Sequence, residues 1–387
     1  MVVNVRRGVA AFVVGLGLLW CVGSAQAAPV IELYTMGQGD DLFARFGHTA
    51  VCVLEDAQAE DGLCYNYGTA NFDNPLVLVW QTLRGEPLFT VSLSGKRRME
   101  GRYIRDDRSV WRQRLPLSDV QATALAVQLA TDAHPDNRDF IYHHFRTNCS
   151  TRPRDALAKL FGPPFATDDP PQMAPEPLRH YVRQGFSGSL PLLLGSELLL
   201  GRVLDRAITR QEAMFLPLEL AQAVEERFEV PLQEVYRRHG PPLEAPPTRG
   251  PWWILGLGLA LAVPWLVMAA VAGPKGRRVA VVGAVVCLML PTMLLWGLAA
   301  VSSEPEIWLN ENLLIFLPVD LALLWSKRRR EILLGRAAWL GLVGVLAAAG
   351  VLVQPLWAPL AVAALLLAPI GVAEFRSQPD AGRAGRE

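Results

Sequence analysis

The hydrophobic pattern divides the chain into two parts near residue 250. Before that point short apolar runs alternate with polar and charged residues, whereas after it the apolar runs are long enough to cross a hydrocarbon core of about 30 Å. A Pro-rich segment, residues 241–251, separates the two parts and reads as a linker. The pattern predicts five membrane spans within residues 252–373: Trp252–Val271, Val279–Val301, Ile307–Trp325, Ala337–Val353 and Leu356–Val372.

The charges of the connecting loops agree with five spans. Basic residues follow the first, third and fifth predicted spans, and the loop Ser302–Asn312 carries three glutamates and no basic residue. The positive-inside rule then predicts that the first span starts outside, and that the tail, residues 374–387, is cytoplasmic. The basic residues are Lys275, Arg277, Arg278, Lys327, Arg328, Arg329, Arg330, Arg376, Arg383 and Arg386.

Two features near the membrane allow more than one interpretation. Asp320 lies inside the third predicted span, where a carboxylate is either functional or satisfied by a neighbouring helix. The Leu-rich stretch Leu190–Leu200 either dips into lipid or forms a buried helix.

The first 27 residues have the pattern of a secretory signal. Arg6 and Arg7 precede an apolar stretch, Gly8–Gly23, and Ala25-Gln26-Ala27 is a small-x-small cleavage site. An uncleaved N-terminal anchor is the alternative. Export predicts that residues 28–240 form a domain in an oxidising compartment, and the whole pattern predicts a multi-pass membrane protein.

Composition narrows the function classes. The chain has 37 basic and 37 acidic residues, so no bulk positive field favours nucleic acid. We find no glycine-rich phosphate loop and no metal-ligand spacing, and we expect neither metal nor cofactor. Cys52 and Cys64 flank a polar loop between two strand-like runs, which predicts a disulfide. Cys149 then remains as an unpaired, exported thiol.

The soluble part is predicted to be an α+β domain. Thr49–Leu54 and Leu63–Tyr67 have the β-branched and aromatic residues of strands. Ser118–Asp132, Asn148–Phe161 and Arg210–Phe228 have helical patterns, the last containing one or two helices.

Cys149 is predicted to lie at the start of a helix. Asn148 and Ser150 are cap-forming residues, and Pro153 suits a first helical turn. Unpaired backbone N–H groups stabilise a thiolate at such a position, and we expect Arg146, Arg152 and Arg154 to add positive charge. The alternative is that Cys149 is a small buried hydrophobic residue.

His48 is the candidate base for this thiol. If Cys52 faces Cys64 across a hairpin, Ala50 faces Asn66, and His48 lies diagonally across from Asn66 on the same face of the sheet. Asn66 can then orient the imidazole, as the third member of a thiol-hydrolase triad does. The alternative is a histidine that serves only the packing of its strand.

These residues lie in motifs that resemble the Lnb-type lipoprotein N-acyltransferases. The resemblance extends into the second half of the chain at Asn310-Glu311-Asn312-Leu313-Leu314 and Pro318. The motifs of the soluble part are Phe46-Gly47-His48-Thr49-Ala50, Tyr65-Asn66-Tyr67-Gly68, Asp107-Arg108-Ser109-Val110, Asn148-Cys149-Ser150-Thr151-Arg152-Pro153-Arg154-Asp155 and Met214-Phe215-Leu216-Pro217, the last preceded by Gly201 and Asp205-Arg206.

The resemblance implies a papain-like fold, permuted as in NlpC-type peptidases, followed by the all-α membrane domain. It implies transfer of a fatty acyl group from a membrane phospholipid to the N-terminal amine of a diacylglyceryl-cysteine lipoprotein. Cys149 would be the nucleophile and His48 the base, with Asn148 an oxyanion donor; Arg108, Arg152, Arg154 and Tyr67 are candidate substrate-binding residues. A thiol peptidase or amidase acting on cell-wall peptides is the alternative enzyme, and a non-enzymatic receptor or assembly module is the third hypothesis.

Overall fold

The computed structural model describes residues 28–41, 44–70, 74–162, 165, 172–241 and 249–376. The predicted signal (1–27), most of the linker (242–248) and most of the tail (from 377) lie outside the described residues.

The soluble part is built on a seven-stranded sheet in which all neighbouring strands are antiparallel, in the order β6-β4-β3-β2-β1-β5-β7. Cys52 pairs with Cys64 and Ala50 with Asn66, so the predicted register between β2 and β3 is confirmed. The predicted Cys52–Cys64 disulfide is also present, and Cys149 is free. The strands are β1 Val30–Met36, β2 His48–Leu54, β3 Leu63–Thr69, β4 Leu88–Gly95, β5 Val110–Arg114, β6 Asp139–Ile141 and β7 Gln233–Tyr236.

Helices cover both faces of the sheet. Leu129 of α3, Leu157 of α4 and Leu220 of α8 pack in one core against one face, and Met99 of α2 packs against the other. Ser118 caps α3 through a capping box with Gln121, so this helix begins where its sequence predicts. The helices of the soluble part are α1 Pro75–Leu83, α2 Lys96–Arg105, α3 Asp119–Asp132, α4 Thr151–Phe161, α5 Leu178–Phe186, α6 Leu190–Leu199, α7 Arg210–Ala213 and α8 Pro217–Phe228.

The C-terminal part contains four helices long and apolar enough to cross a membrane, among the residues described. They are α9 Gly250–Val271, α10 Pro274–Val301, α12 Arg329–Ala348 and α13 Trp357–Phe375. The third predicted span is not a continuous helix. It is a chain of short turns, namely α11 Pro305–Trp308 and the 3₁₀ turns Glu311–Leu314 and Pro318–Leu324, which bend by 40° between the two halves.

Ion pairs and hydrogen bonds define the two ends of this bundle. At one end Arg277 donates to the backbone carbonyl of Arg376 at 2.7 Å, and Arg329 pairs with Glu374 at 3.1 Å. At the other end Glu311 accepts hydrogen bonds from the backbone N–H groups of residues 353 and 354. The start and the end of the broken segment therefore lie at opposite ends of the bundle.

The end that carries Glu311 holds the soluble part. Asn310 and Asn312 each donate to the carbonyl of Leu198, at 2.8 and 3.0 Å. Gly201 donates its N–H to the carbonyl of Glu306, and a Cβ at Gly201 would collide with the carbonyl of Leu309. Gly201 and the Asn310–Asn312 motif are thus structural: they join the two parts.

The structure decides between the two interpretations left open for Asp320 and for the Leu-rich stretch. Asp320 is fully buried and receives two hydrogen bonds from Arg336, at 2.6 and 3.0 Å, so a neighbouring helix satisfies it. In α6, Leu193 is buried, and Leu198 and Leu199 pack against the membrane helices. This stretch therefore forms the packed joint between the two parts rather than a free lipid-facing element.

Candidate active site

Cys149 lies beside a bulge in the pairing of β3 with β4. The pairing of β3 with β4 shifts register between Tyr67 and Thr69, at Gly68, whose positive φ of 99° is accessible to glycine at little cost. The Cβ of Cys149 is 3.8 Å from the position that a Cβ on Gly68 would occupy. The cysteine turn before α4 therefore packs directly against the bulge.

The thiol interacts with β2 and with its own turn. The backbone N–H of Thr49 and the hydroxyl of Ser150 interact with its sulfur, and Thr49 and Ser150 are themselves joined through their hydroxyls at 2.8 Å. Burial raises the pKa of the Cys149 thiol, and these donors together with Arg108 offset only part of that effect. The expectation of a stabilised thiolate is thus not met: the free thiol is protonated at neutral pH.

His48 is held by Asn66. The Nε2 atom of the imidazole is 3.3 Å from Oδ1 of Asn66. The amide nitrogen of Asn66 donates to the carbonyl of Cys64, which can only accept, so the amide oxygen must face the histidine. Nε2 consequently carries the proton, and in a neutral ring Nδ1 is the basic nitrogen. This is the pairing predicted from the hairpin register.

The imidazole is neutral at physiological pH. Burial, together with the positive charges of Arg108 and Arg102, lowers the pKa of His48 to about 4, although the hydrogen bond to Asn66 opposes this shift. Its ring stacks on Tyr103 with centroids 6.1 Å apart. The guanidinium of Arg108 lies over the same tyrosine ring and donates to the carbonyl of Gly37. A neutral imidazole is the form that can accept a proton from a thiol.

Asn148 is a positioning residue in this geometry. Its amide nitrogen donates to the carbonyls of His144 and Phe215, at 2.7 and 2.9 Å, and its amide oxygen accepts from the N–H groups of Ser150 and Thr151. Both amide hydrogens are therefore used in holding the cysteine turn. The motif residue Phe215 contributes by accepting one of these bonds.

The remaining predicted residues have packing partners of their own. Arg152 lies over the rings of Tyr67 and Phe140 and pairs with Asp132, which also accepts the hydroxyl of Tyr67. Arg154 donates to the carbonyl of Gln211. The structure thus accounts for Tyr67, Arg152 and Arg154 without substrate, and their role in binding stays a prediction.

Arg146 is directed toward the membrane part. Its guanidinium is 3.4 Å from Glu304 and from Glu306, and His143 pairs with the same two carboxylates. One ligand atom from each of His143, Glu304 and Glu306 lies within 4.8 Å of the others, which is close enough for a metal ion. The guanidinium already supplies positive charge there, so we interpret the group as an ion-pair cluster between the two parts.

Sequence reasoning missed two aromatic residues of the site. Tyr142 lies 3.7 Å from the position of a Cβ on Gly68 and stacks on Phe89 with centroids 4.2 Å apart. Tyr103 supports His48, as described above. Neither lies in one of the motifs, and their contacts join segments far apart in sequence, so the sequence contains no local signal for them.

A cleft of about 290 Å³ adjoins the strand that carries His48. Gly47, Trp111, Tyr181 and Pro217 are among the residues that line it, and neither Cys149 nor His48 does. The candidate chemistry therefore depends on the thiol and imidazole rather than on this cleft.

Residues 20–181 match the family model described as the Lnb N-terminal periplasmic domain. The match covers 162 of the 387 residues, so it shows similarity to this domain over that part of the chain. It covers His48, Asn66 and Cys149 and ends before the membrane helices. It points to proteins like the Lnb-type lipoprotein N-acyltransferases, and with the four apolar helices it supports a membrane protein with a periplasmic Lnb-type domain. No curated protein and no solved structure matches the chain at a significant level.

Proposed function

We propose that the protein is a membrane-bound thiol acyltransferase of the Lnb type. It would move a fatty acyl group from a phospholipid to the N-terminal amine of a diacylglyceryl-cysteine lipoprotein, with Cys149 as nucleophile and His48 as base. The observation that carries the proposal is the placement of a free thiol at the Gly68 bulge, beside a strand whose histidine is neutral and held by Asn66. The Lnb match and the attached membrane helices support lipid and lipoprotein as the proposed substrate class.

The first half-reaction would form a thioester. Nδ1 of His48 takes the thiol proton as the sulfur attacks the ester carbonyl, and the tetrahedral intermediate carries its negative charge on the carbonyl oxygen. The N–H groups of Ser150 and Thr151 already donate to Asn148, so in this mechanism the backbone N–H of Cys149 stabilises that oxyanion. Losing one such donor typically costs about 10²–10³ in rate. When the intermediate collapses, the ester C–O bond breaks, and the leaving alkoxide takes the proton from His48 and departs as a lysolipid.

The second half-reaction would transfer the acyl group. The free amine of the lipoprotein attacks the thioester, its proton passes to His48, and the C–S bond breaks to give the amide and the thiolate. The thiolate then recovers the proton. A covalent intermediate of this kind predicts ping-pong kinetics.

The proposal is tested with full-length protein in lipid nanodiscs that contain phospholipid and no acceptor. Intact-protein mass spectrometry should find one acyl adduct that hydroxylamine removes, and peptide mapping should place it on Cys149. Addition of a diacylglyceryl-cysteine peptide with a free amine should discharge the adduct and give the N-acylated peptide.

Three substitutions separate the roles. Cys149→Ala should abolish the adduct, and Cys287→Ala, which removes the buried thiol of a membrane helix, should leave it intact. His48→Ala should slow adduct formation by about 10²–10⁴ because proton transfer is lost. Asn66→Ala should cost less than His48→Ala, since it removes only the orientation of the ring.

An adduct that persists in Cys149→Ala would refute the thiol mechanism. Cleavage of peptidoglycan stem peptides, with no adduct from any phospholipid, would replace the acyltransferase with the peptidase or amidase.

A further inference from the structure

Helix α1 presents an apolar face that none of the described residues covers. Leu78 is 3% exposed and anchors the helix, whereas Leu76, Val77, Val79 and Trp80 are 79%, 48%, 50% and 54% exposed. The helix contains no charged residue. A contiguous exposed apolar surface of this kind marks a site of contact with a partner or a membrane.

The position of α1 identifies that partner as lipid. The carbonyl of Leu83, its last residue, accepts the N–H of Ser303 at 3.1 Å, and the next residue, Arg84, donates to the carbonyl of Val301 at 3.1 Å. Val301 is the last residue of α10, whose uncharged stretch from Val279 onward is about 34 Å long at 1.5 Å per residue. The end of α1 is therefore fixed at the level where α10 leaves the hydrocarbon.

The same segment leads to the thiol. The carbonyl of Pro87, four residues after α1, accepts the N–H of Tyr142, and Phe89 stacks on the ring of Tyr142. Tyr142 lies 3.7 Å from the position of a Cβ on Gly68, against which Cys149 packs. The segment that follows α1 is consequently connected to the cysteine turn through Tyr142 and the Gly68 bulge.

We propose that α1 is an interfacial helix whose outer face, Leu76, Val77, Val79 and Trp80, is inserted into the lipid leaflet around the outer end of α10. Trp80 is the type of residue that favours the boundary between headgroups and acyl chains. The helix holds the cysteine turn against the membrane surface, so an acyl chain reaches the site without leaving the lipid.

Quenching of tryptophan fluorescence by brominated phospholipids tests the insertion. The full-length protein is placed in nanodiscs with or without lipids brominated near the headgroup end of the acyl chain. The fluorescence of a single tryptophan is obtained by subtracting the fluorescence of its Trp→Phe variant from that of the parent protein. Trp252, exposed at the start of α9, is the lipid-facing reference, and Trp111, which lines the cleft of the soluble part, is the water-facing reference.

We expect brominated lipid to quench the fluorescence of Trp80 to the same extent as that of Trp252. Quenching no stronger than that of Trp111 would overturn the proposal. This readout needs no enzymatic activity, so its failure is distinct from failure of the proposed function.

A second test rests on the proposed function. Leu76→Asp with Val79→Asp should raise the phospholipid concentration needed for half-maximal adduct formation by about tenfold, which corresponds to about 1.4 kcal/mol, because two charges replace apolar side chains in the lipid. Alkylation of Cys149 by iodoacetamide, which enters from water, should keep its rate. If the variant loses alkylation of Cys149 to the same extent as adduct formation, the substitutions disturb the site itself, and α1 has no separate role in lipid access.

Discussion

Cys149 and His48 are both partly buried, and burial acts on their pKa values in opposite directions. It raises the pKa of the thiol and lowers that of the imidazole to about 4. The thiol and the imidazole are therefore both neutral at rest. In the proposed mechanism the proton moves when the sulfur attacks.

The pH dependence of adduct formation should follow from these values. Activity requires neutral His48, so the rate should persist as pH falls and be lost through about pH 4. Arg108 lowers the pKa of both groups. We expect Arg108→Gln to move the acid limb of adduct formation to higher pH, and to move the pH at which iodoacetamide alkylates Cys149 upward as well.

Arg154→Gln is the matched control, since Arg154 donates to the carbonyl of Gln211 and contributes to neither of these pKa shifts. A folded Arg108→Gln protein with both pH profiles unchanged would show that this arginine does not set the electrostatics of the site.

At the scale of elements, the broken segment between α10 and α12 depends on one buried ion pair. Asp320 and the side chain of Arg336 are 0% and 3% exposed, and Arg336 also donates to the carbonyl of Ile315. The pair thereby holds two of the short turns against α12. A buried charge is costly when its partner is removed, but replacing both partners with apolar residues can be neutral.

We accordingly expect Asp320→Leu to destabilise the protein by about 3–5 kcal/mol, because it leaves Arg336 buried and unpaired. The double variant Asp320→Leu with Arg336→Met should recover most of this loss. Thermal unfolding of purified protein in detergent measures both. Glu331→Gln, which breaks the exposed pair with Arg328, should have little effect. If the double variant is as unstable as the single one, the pair has a further role.

At the scale of the whole molecule, the two ends of the broken segment lie at opposite ends of the bundle, as those of a membrane crossing do. It starts beside Ser303 and Glu304, at the end that holds the soluble part, and it leads to Arg329, which pairs with Glu374 at the opposite end. Asn310, Glu311 and Asn312 make buried hydrogen bonds at the start of this segment. Such bonds satisfy irregular backbone, as non-helical segments in a membrane require.

We predict five crossings on this ground. Reporter fusions at Gly276 and Gly382 should report the cytoplasm, and a fusion at Glu306 should report the outside. An external signal at Gly382 would mean that residues 305–324 form a re-entrant loop, or that the predicted signal is retained as an anchor.

Local pattern alone determined much of the soluble part and most of the membrane helices. Period-two alternation and paired cysteines set the register that places Asn66 beside His48, because a shift of one residue would turn both side chains to the opposite face. The capping residues of α3 and the long apolar runs after residue 250 act within a few turns of chain. Such features depend on neighbours in sequence, so the sequence is enough to predict them.

Tertiary structure decided the electrostatics of the site and the exposure of the apolar face of α1. The charge beside Cys149 is that of Arg108, while Arg152 lies among aromatic rings and Arg146 pairs with the loop of the membrane part. An apolar helix such as α1 looks like a core helix until its position beside Val301 is known. The burial of a residue and the charge around it depend on segments many residues apart in sequence. A local sequence pattern therefore cannot predict them.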